Sequence, residues 1–270
     1  MWKTTGTVEG GSMADATYDG PASQDLVTWD RIADRYIELA DGRATSSFHH
    51  LTDFFHERLR PLSGRSVLDV GCGHGWLAQS LAALGAEASG VDGSESMIAQ
   101  ARSRYPGLTF HTADLVDGLG SARAVAGYDA MVARFSLQCI ADLDGLLRDA
   151  VVALRPGGLF LASMPHPAFY MRERVEDPVT RERYRKVTGY LEHETRILPD
   201  FGGHRYFHRP VSWYVNAFAR HGLHLDDMRE PPQHPDTAGD RGQDEWTDFE
   251  TWWSTIPVFL GLCFRKAPTG

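Results

Sequence analysis

Cysteine is scarce, with three residues at positions 72, 139 and 263. An odd, widely spaced set supports neither a disulfide framework nor a thiolate zinc site, and it suits a reducing compartment. Lysine is also scarce, occurring only at 3, 186 and 266, and the formal net charge is −9. That balance disfavours a broad electrostatic grip on nucleic acid or on an anionic membrane. No apolar run approaches the roughly 20 residues of a membrane span. The opening MWKTTGTVEGGSM also lacks the apolar core of a signal peptide. These absences read as a soluble, cytoplasmic protein with no nucleic-acid or membrane partner.

What is present is centred on residues 66–92, SVLDVGCGHGWLAQSLAALGAEASGVD. Val67, Leu68 and Val70 make a buried strand, a glycine-rich turn follows, and Leu77, Leu81 and Leu84 share one face of a helix. A second apolar strand, 86–91, ends at Asp92. This is a βαβ unit of the kind that binds a nucleoside-bearing cofactor at the carboxyl ends of its strands.

The remaining pattern extends that unit. Residues 1–20 are small and polar and read as a mobile tail. Trp29, Ile32, Ala33, Tyr36 and Ile37 form a helical stripe, either a helix packed on the core or a lid whose aromatics cover a ligand. A further helix is expected over about 48–59. Ser94 is an N-cap, with Met97, Ile98 and Ala101 facing inward. Short strands at 108–111, 128–133 and 159–163 alternate with a helix at 143–154, which stops at Arg155-Pro156-Gly157-Gly158. This spacing predicts an α/β fold with a mostly parallel sheet covered on both faces. Residues 166–209 break the rhythm and read as an inserted cap. A helix at 212–221 and strands at 224–228 and 257–264, joined by a polar, Trp-rich loop, complete the domain. The organisation expected is thus a tail (1–20), one domain (21–165 and 210–270) and a cap (166–209).

The turn reads Gly71, Gly73, Gly75, with Trp76 where a dinucleotide fingerprint needs its third glycine. No G-K-[ST] sequence follows, so a phosphate-cradling loop is excluded. Asp92, 21 positions after Gly71, is suited to accept both ribose hydroxyls, and Asp114 an adenine amino group. Nothing basic in the first loop would meet a pyrophosphate. Together these favour an adenosine with an uncharged or cationic 5′ substituent.

Five motifs in order resemble the class I S-adenosylmethionine-dependent methyltransferases, most closely the small-molecule subgroup (methyltransferase type 11, UbiE-like). They are LDVGCGHG (68–75), GVDGSESM (90–97), ADL (113–115), ARFSLQCIAD (133–142) and LRPGG (154–158). WDRIADRY (29–36) looks like that subgroup's aromatic N-terminal helix. The resemblance implies a Rossmann-like seven-stranded sheet whose last strand is antiparallel. It also implies S-adenosyl-L-methionine as cofactor, with S-adenosyl-L-homocysteine as product. By position, Asp69, Gly71 and Gly73 would lie by the methionine moiety and Asp92 by the ribose. Gly93 and Met97 would flank the adenine, Asp114 and Leu115 would contact its ring, and Arg134 and Tyr36 would close the pocket.

Methyl transfer from a sulfonium is an in-line displacement dominated by alignment and water exclusion. A base is needed only for a hydroxyl or a protonated amine. His166, between two prolines after the fifth strand, is either that base or a hydrogen-bonding residue in a rigid turn. His193, His204 and His208 fit no zinc signature, and no metal is expected. Cys72 and Cys139 read as small buried residues. The fourth strand ends in ARFS, unlike the methylases of DNA-base amino groups. The acceptor expected is therefore a small molecule of the specialised-metabolite kind, methylated at O or N. Trp29, Phe135, Phe169, Tyr170, Trp213 and Trp253 are its candidate apolar wall. A monomer or homodimer is expected. The competing reading keeps the cofactor but drops the transfer, with the cap catalysing cyclisation or rearrangement.

Overall fold

The computed structural model describes residues 23–41, 51–124, 127–170, 172–199, 202–232 and 241–268. The tail expected at 1–20 and the start of the helix expected at 48 lie outside them. The chain begins with α1 (Ser23–Asp41) and α2 (Thr52–Leu59), then alternates β1 (Ser66–Val70), α3 (Trp76–Ala83), β2 (Glu87–Asp92), α4 (Glu95–Arg104) and β3 (Thr109–Thr112). After β4 (Tyr128–Arg134), α5 (Asp144–Ala153) and β5 (Leu154–Pro165) come four short strands. These are β6 (Glu173–Glu176), β7 (Arg183–Lys186), β8 (Glu194–Leu198) and β9 (His204–His208). The chain closes with α6 (Val211–Arg220), β10 (Leu223–Arg229), α7 (Asp248–Ser254) and β11 (Phe259–Lys266).

Side-chain alternation decides the layering, because successive residues of a strand face opposite ways. Val67, Ala130, Val132, Leu159 and Leu161 pack with Phe54, Phe55, Leu77 and Leu81 of α2 and α3. Their neighbours Leu68, Val70, Met131, Ala133, Phe160 and Ala162 pack on the other face with residues of α5 and α6. Apolar on both faces, β1, β4 and β5 are the interior of the sheet, and each fully buried Leu or Phe contributes about 1.5–3 kcal/mol.

The main sheet has seven strands in the order β10-β11-β5-β4-β1-β2-β3. β1, β2, β3, β4 and β5 pair in parallel, whereas β11 runs antiparallel between β5 and β10. The order turns back between β1 and β4, and α3 and α5, which follow them, lie on opposite faces. A crevice opens at the carboxyl ends of such a pair of strands.

The described residues of 166–209 contribute no strand to this sheet. They form two separate hairpins, β6–β7 and β8–β9. The loop expected to be merely polar and Trp-rich contains α7, started by a capping box in which Thr247 and Glu250 satisfy each other's backbone N–H groups. Its short length, with two adjacent Trp residues, hid the helical period.

Candidate cofactor and acceptor site

The crevice holds about 760 Å³ of empty space, part of it open solvent. β1 ends in the glycine turn at its floor. Gly71 has φ +69°, and a Cβ there would come within 2.8 Å of Ser136 Oγ and nearer still to Ser136 Cβ. Ser136 follows β4 and is fixed by donating to the Val70 carbonyl, 2.7 Å away. Gly73, at φ +52°, has only Met97 Sδ within reach of a would-be Cβ, at 3.9 Å, and otherwise faces open space. The two strand ends therefore meet closely at Gly71 and leave room at Gly73.

Asp92 stands at the end of β2, and its carboxylate is held from below. Oδ2 accepts from the Gly73 N–H at 2.8 Å and Oδ1 from the Ser94 N–H at 2.9 Å. The Gly93 N–H is a further donor to this carboxylate, which with its four lone-pair sites still keeps acceptor capacity for a ligand. Burial pushes the Asp92 carboxyl up, opposed by the Ser94 and Gly73 N–H groups. Ser94 caps α4 through Met97 N–H, 3.1 Å, as the sequence predicts. Asp114, just beyond β3, is braced by Val116 N–H at 3.0 Å and also lines the cavity.

The roof is α1. Asp25, Leu26, Trp29 and Tyr36 line the cavity, while Ile32, Ala33 and Ile37 are buried. The stripe is thus divided, with Trp29 and Tyr36 on the cavity and Ile32, Ala33 and Ile37 in the core. On one side Asp30 accepts from Ser94 Oγ (2.6 Å) and Ser96 N (3.0 Å) of the α4 end. On the other, Arg205 of β9 pairs with Asp25, Arg31 donates to the Gly202 carbonyl at 3.1 Å, and Trp29 lies 4.9 Å from the His204 ring. Removing one member of a largely buried pair such as Arg205–Asp25 leaves the other charge uncompensated.

Of the residues expected at the cofactor, Tyr36, Gly71, Gly73, Asp92, Gly93, Met97, Asp114, Leu115 and Arg134 all line this one cavity. Asp69 does not; it is 2 % exposed, behind the turn, and accepts from Ala78 N–H at 3.1 Å. Trp29 and Phe135 line the cavity, but Phe169, Trp213 and Trp253 do not. Phe169 lies against the His166 ring at 4.8 Å, Trp213 lies under Arg209 at 4.6 Å and Trp253 under Arg185 at 4.4 Å. Asp25 and Leu26 were legible as residues four and three places before Trp29, on the same helical face. Ser136, Cys139, Ile140 and Ala141 reach the cavity only through the fold. Burial pushes the Cys139 thiol up to about 12, so it stays protonated and is no nucleophile.

His166 is placed differently from a free base. Its Nδ1 accepts from Ala168 N–H at 3.1 Å, which leaves the proton on Nε2 to donate to Glu230, 2.8 Å away. Both nitrogens are engaged, and the ring does not line the cavity. Burial lowers its pKa even though Glu230 opposes the shift. This geometry matches the turn-stabilising alternative of the sequence reading.

Asp69 yields a pH prediction. Burial, against the pull of Arg134 and Ala78 N–H, raises its carboxyl to about 7. A folded-state pKa above the unfolded one means the group's stabilisation is complete below the ordinary carboxylate range and is lost as pH rises through about 7. Asp69→Asn should therefore gain on the wild type between about pH 5 and pH 8, by at most about 3 kcal/mol, in thermal unfolding of the ligand-free protein. A stability gap that is constant over this range would contradict it.

The doubly wound sheet, the glycine turn without a phosphate cradle and the carboxylate at the end of β2 are those of a class of protein that binds a nucleoside-bearing cofactor at a strand-order reversal. Comparisons with known proteins narrow the class. A family model described as a methyltransferase domain matches residues 68–160. The ubiquinone biosynthesis O-methyltransferase of Xanthomonas axonopodis pv. citri (strain 306) is 31% identical over 65% of this chain and 69% of its own length. A trans-aconitate 2-methyltransferase of Acidovorax sp. (strain JS42) is 39% identical over 37% of this chain and 38% of its own. The chain spans about half or less of the length of several curated relatives it matches, 51% of one and 38–42% of others. An S-adenosylmethionine-dependent methyltransferase structure from Mesorhizobium loti superposes with TM-score 0.63 at 26% identity, covering 82% of this chain and all of that one. The chain belongs to the S-adenosylmethionine-dependent methyltransferases. Its cofactor is S-adenosyl-L-methionine.

The cavity fits that cofactor. The would-be Cβ position at Gly73 is open, the Asp92 carboxylate is held with acceptor capacity to spare, and no Lys or Arg stands in the glycine turn. Among the described residues, no group of three His, Cys, Asp or Glu is placed to hold a metal ion, and no helix is long and apolar enough to cross a membrane.

Proposed function

We propose that the protein transfers the methyl group to an oxygen, or alternatively a nitrogen, of a small molecule carrying an aromatic ring. The observation that carries this reading is a continuous run of rings leading away from the cavity. Phe135 lines the cavity and lies 5.3 Å from Phe259. Phe259 is 6.4 Å from Tyr170, and Tyr170 is stacked at 6.3 Å on Tyr206. At these spacings the rings pack directly on one another, so they form one continuous aromatic surface that begins at the cavity wall with Phe135. Phe135 holds φ +53°, a left-handed conformation that costs a non-glycine residue stability and that clusters at ligand sites. Its N–H is anchored on the Ser163 carbonyl at 2.8 Å. The names of the O-methyltransferase relatives support oxygen as the accepting atom.

In this reading Asp92 holds the ribose, while Met97, Asp114 and Leu115 enclose the adenine. Gly71 and Gly73 let the amino-acid end approach the backbone, and α1 excludes water from above. The cofactor supplies a methyl group on a sulfonium, a good leaving group. The chain's contribution is to align the acceptor with it and keep the site dry. Tyr36, whose hydroxyl burial holds protonated, serves as a donor. His166 fixes the turn that follows β5. Residues 166–209 act as the acceptor-side cover, and 21–165 with 210–270 as the cofactor domain.

The test is incubation of the full chain with S-adenosylmethionine and a panel of hydroxylated aromatic compounds, followed by mass spectrometry. A product heavier by one methyl, formed with S-adenosylhomocysteine, supports transfer. A product that forms without methyl gain sinks it in favour of cyclisation or rearrangement. The fold itself is compatible with either outcome, since the [4+2]-cyclase SpnF shares it (TM-score 0.59, 20% identity).

A further inference from the structure

Most arginines of the two hairpins have a partner that explains them. Arg183 pairs with Glu176 at 2.9 Å, Arg196 donates to Glu194 at 2.6 Å and Arg205 pairs with Asp25. Arg209 donates to the carbonyls of Ile140 and Ala141 at 2.8 and 2.6 Å, tying down one wall of the cavity. Arg172 is different. Its Nε and Nη2 are both buried, and neither has a hydrogen-bond partner among the described residues.

Those two nitrogens form one edge of the guanidinium. It is an edge that receives a carboxylate through two parallel N–H···O bonds. Buried donors left unpaired cost about 1–3 kcal/mol each, and more when charged, so an intact empty edge marks a place where an acceptor group belongs. The neighbours do not fill it. Glu194 is held by Arg196, and Arg185, whose Nε is likewise buried without a partner among the described residues, donates to the backbone carbonyl of Arg172 and lies over Trp253. Burial, reinforced by the Arg196 charge, lowers the Arg172 pKa, with Glu194 and Tyr206 the opposing influences.

Its location gives the edge a meaning. Arg172 follows Tyr170 by two residues and has Tyr206 among its electrostatic neighbours. These two tyrosines are the far end of the run of rings that starts at the cavity with Phe135. We propose that Arg172 binds a carboxylate of the methyl acceptor through its unpaired Nε–Nη2 edge, with the acceptor's ring lying along Phe135, Phe259, Tyr170 and Tyr206. The substrate class is then an aromatic carboxylic acid. This rests on the aromatic-acceptor reading and adds the charged anchor.

The test is calorimetry on the full chain saturated with S-adenosylhomocysteine. The probes are 3,4-dihydroxybenzoate, 3,4-dihydroxycinnamate and the neutral amide of each. In the wild type at least one acid should bind about tenfold more tightly than its amide. Arg172→Met should abolish that preference, Arg172→Lys should retain part of it, and both variants should bind S-adenosylhomocysteine like the wild type. Acids and amides binding alike would overturn the anchor while leaving the aromatic reading in place. A preference surviving in Arg172→Met would do the same, and so would inorganic phosphate displacing the acid at equal concentration. No binding by any of the four probes to protein that holds S-adenosylhomocysteine also overturns it. An acid that binds through Arg172 without being methylated keeps the anchor and removes the transfer reading for that probe.

Discussion

Replacing Asp92 by Asn is expected to weaken S-adenosylhomocysteine binding by about a hundredfold, roughly 2.7 kcal/mol. The native carboxylate accepts N–H groups from Gly73 and Ser94 on opposite oxygens, with the Gly93 N–H a further donor, and a carboxylate can do this while still accepting from a ligand. An amide cannot. Whichever way the substituted amide turned, its NH₂ would face one of the two backbone donors, and the ligand would lose an acceptor. Two charge-assisted bonds to ribose are each worth about 1.5–3 kcal/mol, so the expected loss is conservative. Calorimetry at constant pH and salt measures it. An affinity within about threefold of the wild type would show that Asp92 caps α4 and braces the turn without holding ribose.

Gly71→Ala should act on folding and binding together. The position combines φ +69° with Ser136 directly in the path of a Cβ. The left-handed conformation costs a non-glycine residue about 1–2 kcal/mol, and overpacking a tight contact typically adds about 1–3 kcal/mol. Ser136 cannot yield freely because its hydroxyl is committed to the Val70 carbonyl. The unfolding midpoint should fall by roughly 5–10 °C, and affinity for S-adenosylhomocysteine should fall at least about tenfold. Adding Ser136→Gly should restore part of both by removing the overlap but not the backbone strain. A Gly71→Ala protein that melts and binds like the wild type would refute the close approach of the two strand ends.

Much of the cofactor half was legible because its signals are local. The strand–turn–helix at 66–83, the acid ending β2 and the N-cap at Ser94 are each defined within a few residues, and they fall where the periodicity puts them. The acceptor half was not. Phe169, Trp213 and Trp253 have the composition of a substrate wall, yet they pack against His166, Arg209 and Arg185 respectively, away from the cavity. An aromatic side chain is equally suited to a core, a cation or a ligand, and only its neighbours decide which.

His166 makes the same point within one side chain. The sequence offers an imidazole held between prolines at the end of a strand, with two possible uses. The fold brings Glu230 to within 2.8 Å of it across 64 positions of chain and turns Ala168 N–H onto its other nitrogen, using both. Arg172 is the converse case, one arginine among many at the hairpins, marked out only because the fold buries its Nε and Nη2 and supplies them no acceptor among the described residues.

By itself, then, the sequence determined the sheet, the turn and the acids Asp92 and Asp114 at successive strand ends, with Asp69 added by resemblance, because hydrogen-bond geometry and side-chain alternation act over short stretches. Tertiary structure decided which of those acids faces the cavity. Asp69 is turned toward α3 and buried, whereas Asp92 and Asp114 line the ligand space. It also decided that α1 closes the cavity, through an ion pair that joins residues 180 positions apart. Contacts of that span depend on how layers stack, and no local period in the chain records them.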